Sequence, residues 1–139
     1  MTIDLSSLRK AIDALQRSVT AARSGKMTGL DKDLAEAVRS GVIQNFEVAY
    51  ELCWKSMKRW IEVNVGKAVA DGVTRRELFR LGLENRLIDD VDAWMVFHES
   101  RNETAHAYDS EVAGDVYAKA GEFLPLATAF LAAIEARNA

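Results

Sequence analysis

Apolar residues recur at spacings of three and four along most of the chain, the pattern of helices that bury one face. The first such run predicts a helix from about residue 4 to residue 24. A second such run of apolar residues, or seam, lies in the middle of the chain, and a third lies at its C-terminal end. The first seam contains Leu5, Leu8, Ile12, Leu15, Val19 and Ala22; the second contains Ile43, Phe46, Tyr50, Cys53, Met57 and Trp60; the third includes Val116, Tyr117, Ala120, Phe123, Ala127, Phe130 and Ile134.

Polar residues between these runs indicate where helices begin. Residues 33–36 and 74–77 have the spacing of capping boxes, in which a side chain at the helix start accepts a backbone hydrogen bond. They predict a short lead-in to the second helix and the start of a third helix. Gly66 is expected to end the second helix, since glycine favours helix termination.

The last two helices are separated by a short polar segment. Asp89 or Asp90 is expected to cap a helix that ends near His106, and Asp109 or Ser110 to begin the final one. No segment alternates with the period of a strand. The sequence therefore predicts a single domain over residues 1–139, an all-α antiparallel bundle of four main helices plus short extra helices.

Composition narrows the classes of protein. Hydrophobic residues make up 49% and charged residues 28%, typical of a chain that folds into a core. The single cysteine, Cys53, excludes an internal disulfide and a cysteine-rich zinc site. Met1 to Lys10 lacks a hydrophobic leader, and the longest apolar run, 123–134, is too short for a bilayer. We expect a cytoplasmic protein without membrane contact.

The charge pattern argues against a broad nucleic-acid surface. The net charge is −3, and no long segment is strongly basic, although Lys55, Lys58 and Arg59 could form a local patch. Proteins that grip long nucleic acids unaided usually present a basic face. The sequence is compatible with a small cleft, or with a partner that supplies positive charge.

The segment 101–108 carries the most specific chemistry. It places Arg101, Asn102, His106 and Tyr108 within about two helical turns, and Asn102 and His106 share a helix face. Arginine matches phosphate oxygens, and histidine can exchange a proton near neutral pH. This set suits cleavage of a phosphodiester without a metal. One histidine cannot be base and acid in one concerted step, but a two-fold dimer could supply both. Spacing alone is also compatible with a purely structural network.

Read whole, the segment resembles the R-N-x-x-x-H-x-Y signature of HEPN-domain proteins. A second stretch, from Gln44 to Lys55, is similar to the Q-x-F-E…Y-E-L-x-W-K helix of one group of them. That group is the helical partner of a minimal nucleotidyltransferase, known as nucleotidyltransferase substrate-binding proteins or HepT-like toxins. The resemblance covers roughly residues 5–135.

The resemblance implies a toxin of a toxin–antitoxin pair, a metal-independent endoribonuclease that needs no cofactor. Arg101, Asn102 and His106 would be catalytic, and Glu47 and Lys55 would line the cleft. The protein would be a homodimer, and with its partner a heterotetramer or larger. The partner would be a minimal nucleotidyltransferase encoded nearby, which neutralises the toxin, with Tyr108 as an acceptor of AMP.

Two other functions stay open on the sequence. The chain could be a non-catalytic subunit that presents a nucleotide or another substrate to the nucleotidyltransferase, an alternative that the acidic net charge favours. It could also be a helical protein without an active site.

The remaining candidate residues have structural interpretations. We interpret His98 as a core or interface histidine, Cys53 as an inert apolar residue, and the three tryptophans as core or interface residues, with base stacking an option for one. Glu47, Glu51 and Lys55 have the spacing of a solvated ion-pair ladder. One departure from the family pattern is Thr74-Arg75, where the family often has serine-proline.

Overall fold

A computed structural model describes residues 2–139 as a bundle of six α-helices and two 3₁₀ turns, and no strand occurs in that range. This confirms the predicted all-α bundle. The α-helices are α1 (Ser6–Ala22), α2 (Lys32–Asn64), α3 (Lys67–Ala70), α4 (Arg75–Glu84), α5 (Val91–Glu103) and α6 (Ser110–Ala136); the 3₁₀ turns are Gly25–Met27 and Thr104–His106.

Most of the predicted helix ends are confirmed. The side chains of Thr74, Asp90 and Asp109 accept backbone hydrogen bonds at the starts of α4, α5 and α6. The predicted capping box at 33–36 was wrong, because Asp31 is the cap and accepts from the Leu34 amide. Helix α2 contains no proline, and it passes through Gly41 without a break.

Helix α2 is the central element of the bundle. Its 33 residues extend about 50 Å at the usual helical rise. It packs against α1 along one side and against α6 along another, and it also contacts α4 and α5. Because it has several neighbours, its apolar stripe is wide. Gly66 follows the helix end, as predicted.

The core is apolar and aromatic. Leu15, Phe46, Met57, Phe79 and Phe123 are among its fully buried side chains, and Ser100 is the one buried polar residue among residues 2–139. Residues near the two ends of the chain are hydrogen-bonded to each other at the edge of this core. The Ile3 amide donates to Asn138 Oδ1 at 2.8 Å, and Asn138 Nδ2 donates to the Ile3 carbonyl at 2.9 Å. None of the helices in the described range combines the length and the apolarity that crossing a membrane requires.

Candidate functional site

The polar motif 101–108 lies where α5 gives way to a tighter turn. Arg101 and Asn102 are in the last turn of α5, and His106 ends the following 3₁₀ turn. The Thr104 hydroxyl donates to the Arg101 carbonyl at 2.7 Å, which satisfies one of the carbonyls that a helix end leaves unpaired. Asp109 then caps α6. Tyr108 consequently lies at the edge of the connection, as predicted.

Arg101 is held by residues of α2 and of the 3₁₀ turn that follows its own helix. Its Nη1 donates to Thr104 Oγ1 at 3.1 Å, and its Nη2 lies 3.6 Å from Glu47 Oε2. Its Nε lies 3.1 Å from Glu51 Oε1, but the N–H does not point at that oxygen and forms no hydrogen bond within residues 2–139. Nε is also buried from solvent. The side chain is 27% exposed. The guanidinium is thus fixed in position while one of its donors remains unsatisfied.

The other three motif residues face solvent. Asn102 and His106 are exposed, and Asn102 makes no side-chain hydrogen bond to any other part of residues 2–139. Tyr108 is 87% exposed, and its ring centroid is 6.3 Å from that of His106. The structure therefore brings Arg101 to Glu47 and Glu51, and His106 to Tyr108. It leaves the amide and imidazole free to meet a ligand.

Glu51 connects the motif to the middle of α2. Its Oε1 is the oxygen near Arg101, and its Oε2 accepts a hydrogen bond from Trp54 Nε1 at 3.0 Å. Lys55 Nζ is 4.0 Å from the same Oε2. The predicted ion-pair ladder is therefore only part of the arrangement, because Glu47 and Glu51 both turn toward the arginine on α5.

Arg75, at the start of α4, covers Trp54. Its guanidinium carbon is 3.4 Å from the centroid of the indole ring, a close cation–π stack. Its Nε is screened from solvent and has no hydrogen-bond partner. Burial lowers the pKa of this guanidinium, while nearby Tyr50 and Glu51 act in the opposite direction. The group stays charged at neutral pH, since arginine titrates far above it.

Tyr50 and His98 form a hydrogen-bonded pair near Arg75 and Glu51. Tyr50 Oη lies 2.8 Å from His98 Nδ1. Burial raises the pKa of Tyr50. Burial, and then the positive charge of Arg75, lower the pKa of His98. At neutral pH the phenol is therefore protonated and the imidazole neutral, and the hydrogen bond runs from Oη to Nδ1 when the imidazole carries its proton on Nε2. This arrangement, with a half-buried ring, agrees with the interpretation of His98 as a core or interface histidine.

The sequence did not predict the contacts of Glu51 with Arg101 or of Arg75 with Trp54. Glu51 had the spacing of a solvated ladder, and Arg75 followed a helix cap. The one available signal for Arg75 was its departure from the serine-proline of the family. Of the other structural candidates, Trp60, Trp94 and Cys53 are buried, and burial raises the pKa of the Cys53 thiol. Trp54 is half-buried at the site.

The side chains of the site could not by themselves form an obvious metal centre. Within residues 2–139, no three or more histidine, cysteine, aspartate or glutamate side chains are grouped as ligands of one ion. What the arrangement offers is an anchored guanidinium, an exposed imidazole, an exposed amide and an exposed phenol at one end of α5. These groups can bind an oxyanion and exchange protons with it.

The fold and this site define a class: a small helical bundle that presents a polar cluster at the end of one helix. Comparison with known proteins identifies the family. The family model for proteins like the nucleotidyltransferase substrate binding protein matches residues 3–136. The chain belongs to this HepT-like family of nucleotidyltransferase substrate-binding proteins, as its motifs predict.

One curated relative spans nearly the same length. It is the probable ribonuclease HepT of Haemophilus influenzae, which is 30% identical over 140 residues, covering 98% of this chain and 94% of the relative.

Two solved structures share the fold. One, from Haemophilus influenzae, reveals the fold of a substrate binding domain of a nucleotidyltransferase; it superimposes with a TM-score of 0.91 at 28% identity, covering 95% of this chain and 99% of that one. The other, from Thermus thermophilus, has a TM-score of 0.71 at 19% identity, with 90% and 96% of the two chains covered.

Proposed function

We propose that this protein is an endoribonuclease that cleaves RNA without a metal, and that it is the toxin of a toxin–antitoxin pair. The observation that carries the proposal is the anchored guanidinium of Arg101 in the same short segment as the exposed imidazole of His106. The relative of similar length whose name is probable ribonuclease supports it.

The proposed reaction uses the RNA's own 2′-hydroxyl as nucleophile. The 2′-oxygen bonds to phosphorus, the bond from phosphorus to the 5′-oxygen breaks, and the products are a cyclic phosphate and a 5′-hydroxyl. His106 takes the 2′-hydroxyl proton, and a second acid protonates the departing oxygen. Arg101 and Asn102 donate hydrogen bonds to the phosphate oxygens, where negative charge grows. The phosphate competes with Glu47 for the guanidinium.

We assign the second acid to another imidazole, and not to His98, because His98 Nδ1 is paired with Tyr50 Oη at 2.8 Å. We propose a two-fold dimer that brings two copies of His106 to one cleft. Light scattering at micromolar concentration should give the mass of a dimer. A monomer that still cleaves RNA would exclude the composite site.

The test of the nuclease compares variants of the purified protein on labelled RNA, with and without EDTA. Arg101→Ala and His106→Ala should each reduce the cleavage rate by about a hundredfold or more, the usual loss when a proton-transfer or charge-stabilising group is removed. Arg17→Ala is the matched control, because that arginine pairs with Asp13 on the exposed face of α1. Activity should survive EDTA.

Three results would contradict this function. They are full cleavage by His106→Ala, complete loss of activity in EDTA, and no cleavage by a folded wild-type dimer. The last would favour the alternative of a non-catalytic subunit that binds a substrate for a nucleotidyltransferase. Growth of cells expressing the chain alone, compared with cells expressing Arg101→Ala, tests toxicity independently.

We further propose that a partner nucleotidyltransferase silences the toxin by adding AMP to Tyr108. The phenol is 87% exposed and neighbours His106, so a transferase could reach it. The hydroxyl would attack the α-phosphate of ATP and release pyrophosphate. The added phosphate would then compete with RNA for Arg101. Intact-mass spectrometry after incubation with the partner and ATP should show the gain. An equal gain on Tyr108→Phe would rule out this acceptor.

A further inference from the structure

Two arginines flank the single carboxylate of Glu51. Arg101 Nε, from α5, lies 3.1 Å from Oε1. On the other side, Oε2 accepts from Trp54 Nε1, and Arg75, from α4, lies flat on that indole. The two guanidinium groups therefore occupy one surface formed by three helices. The motif 101–108 accounts for only one of them.

Arg75 forms no salt bridge within the described part of the chain. No carboxylate of residues 2–139 lies within 4 Å of its guanidinium, whereas the next residue, Arg76, pairs with Asp92 at 2.9 Å. Stacking on Trp54 uses the face of the guanidinium. Nε is buried, but the N–H groups of Nη1 and Nη2 lie in the same plane and have no hydrogen-bond partner within residues 2–139. A partly desolvated, unpaired cation gains free energy when an anion binds beside it.

The surroundings of Arg75 favour an anion over a nucleobase. Lys55 Nζ lies 5.6 Å from the centroid of Trp54, so a second cation flanks the same indole. The cluster formed by Lys55, Arg75, Arg101, Glu47 and Glu51 has a positive balance in a chain whose net charge is −3. Because Arg75 covers a face of Trp54, a base cannot stack there without displacing it.

We propose that Arg75 binds a second phosphate of the RNA strand, next to the phosphate held at Arg101. The inference rests on the proposed ribonuclease function and extends its binding site from α5 to the start of α4. The strand would pass over Glu51, with Trp54 holding Arg75 in the orientation that presents its edge. Arg75 thereby determines how far the substrate must extend beyond the scissile phosphate.

The test measures binding separately from cleavage. The probe is a fluorescent single-stranded oligonucleotide with 2′-O-methyl ribose, which lacks the nucleophile. Fluorescence anisotropy gives Kd at several salt concentrations. Arg75→Gln should weaken binding about tenfold, the loss expected from one charge-assisted contact. It should also lower the slope of log Kd against log salt by about 0.7, the value for one phosphate of a single strand.

Arg76→Gln is the matched control, because it removes the same charge from the same helical turn. Its slope should equal that of the wild type. Arg75→Lys keeps the charge but cannot lie flat on Trp54, so it should retain the slope with intermediate affinity. This variant decides the question if Arg75→Gln does not fold, since wild-type affinity in Arg75→Lys would contradict the stacked geometry.

The inference is overturned by an unchanged slope in Arg75→Gln, by an equal loss in Arg76→Gln, or by a wild-type protein that does not bind the probe. It is also overturned if Arg75→Gln binds the probe normally but loses its nucleotidyltransferase partner. The two proposals fail separately. A slope change without cleavage of ordinary RNA would remove the nuclease and keep the phosphate site, and cleavage without a slope change would do the reverse.

Discussion

Trp94 and Trp54 are the same kind of residue used for opposite purposes. Trp94 is 2% exposed, and its ring centroid lies 5.4–5.6 Å from those of Phe79, Phe123 and Phe130. Trp54 is half-buried between two cations and a carboxylate. Aromatic burial of the first kind supplies free energy of folding. The second kind positions charges and contributes less, because solvent screens them.

Tyr50 joins these two regions. Its ring centroid is 6.0 Å from that of Phe123 in the core, while its hydroxyl reaches His98 on the polar side. Tyr50 and its partner His98 thus connect the aromatic core to the neighbourhood of the charged cluster. The charged cluster therefore lies next to a well-packed core, which helps to hold its side chains in position.

The largest expected effect on stability comes from removing an aromatic ring of the core. Phe123 contacts the rings of Phe46, Trp94 and Phe97 and is fully buried. Phe123→Ala should lower the free energy of unfolding by about 3–5 kcal/mol, the usual cost of a large cavity in a core. Urea denaturation followed by circular dichroism gives this value. Phe123→Leu, which leaves a smaller cavity, should cost clearly less, and equal losses would show that the cavity does not govern the effect.

A smaller effect on stability is expected at Glu51. Glu51→Gln keeps an acceptor for Trp54 Nε1 but removes the negative charge beside Arg101. Since Glu47 remains near that guanidinium, the free energy of unfolding should fall by only about 1 kcal/mol, as for a partly exposed ion pair. Binding of the 2′-O-methyl oligonucleotide should tighten, because one competing carboxylate is gone. A loss of stability as large as in Phe123→Ala would show that this cluster is part of the core.

The sequence was sufficient for most of the fold because helices are local. Spacing and capping residues predicted the start at Thr74, and they narrowed the other two to Asp89 or Asp90 and to Asp109 or Ser110; the caps are Asp90 and Asp109. They misplaced the start of α2 by two residues and missed α3, a single turn that has no side-chain cap. The spacing of apolar residues does not say which of two nearby aspartates caps a helix, and a helix of four residues is too short to show a period.

The candidate site was predictable only in part. Arg101, Asn102 and His106 are close in sequence, so the motif was visible as a string. The stack of Arg75 on Trp54 joins α4 to α2, and the approach of Glu51 to Arg101 joins α2 to α5. Such contacts depend on how the helices pack. The solvated-ladder interpretation of Glu51 missed them because it considered one helix alone.

The smallest expected effect concerns His98, where the two regions meet. Because its pKa is lowered in the folded protein, the unfolded chain binds the proton more readily than the folded one. Stability from this group is therefore fully present above the ordinary histidine pKa of about 6.5 and is lost as the pH falls below it. His98→Asn places an amide oxygen where Tyr50 can still donate, and it should make unfolding less dependent on pH between about 7.5 and about 5.5, the range around that ordinary value.

NMR titration of the His98 ring measures directly the lowered pKa that causes this pH dependence. The wild-type pKa should lie below the ordinary histidine value, and Arg75→Gln should raise it, because removing the nearby positive charge makes protonation easier. Arg76→Gln should leave it unchanged, since that arginine pairs with Asp92. A His98 pKa that does not respond to Arg75→Gln would show that the charge of Arg75 does not act on this imidazole.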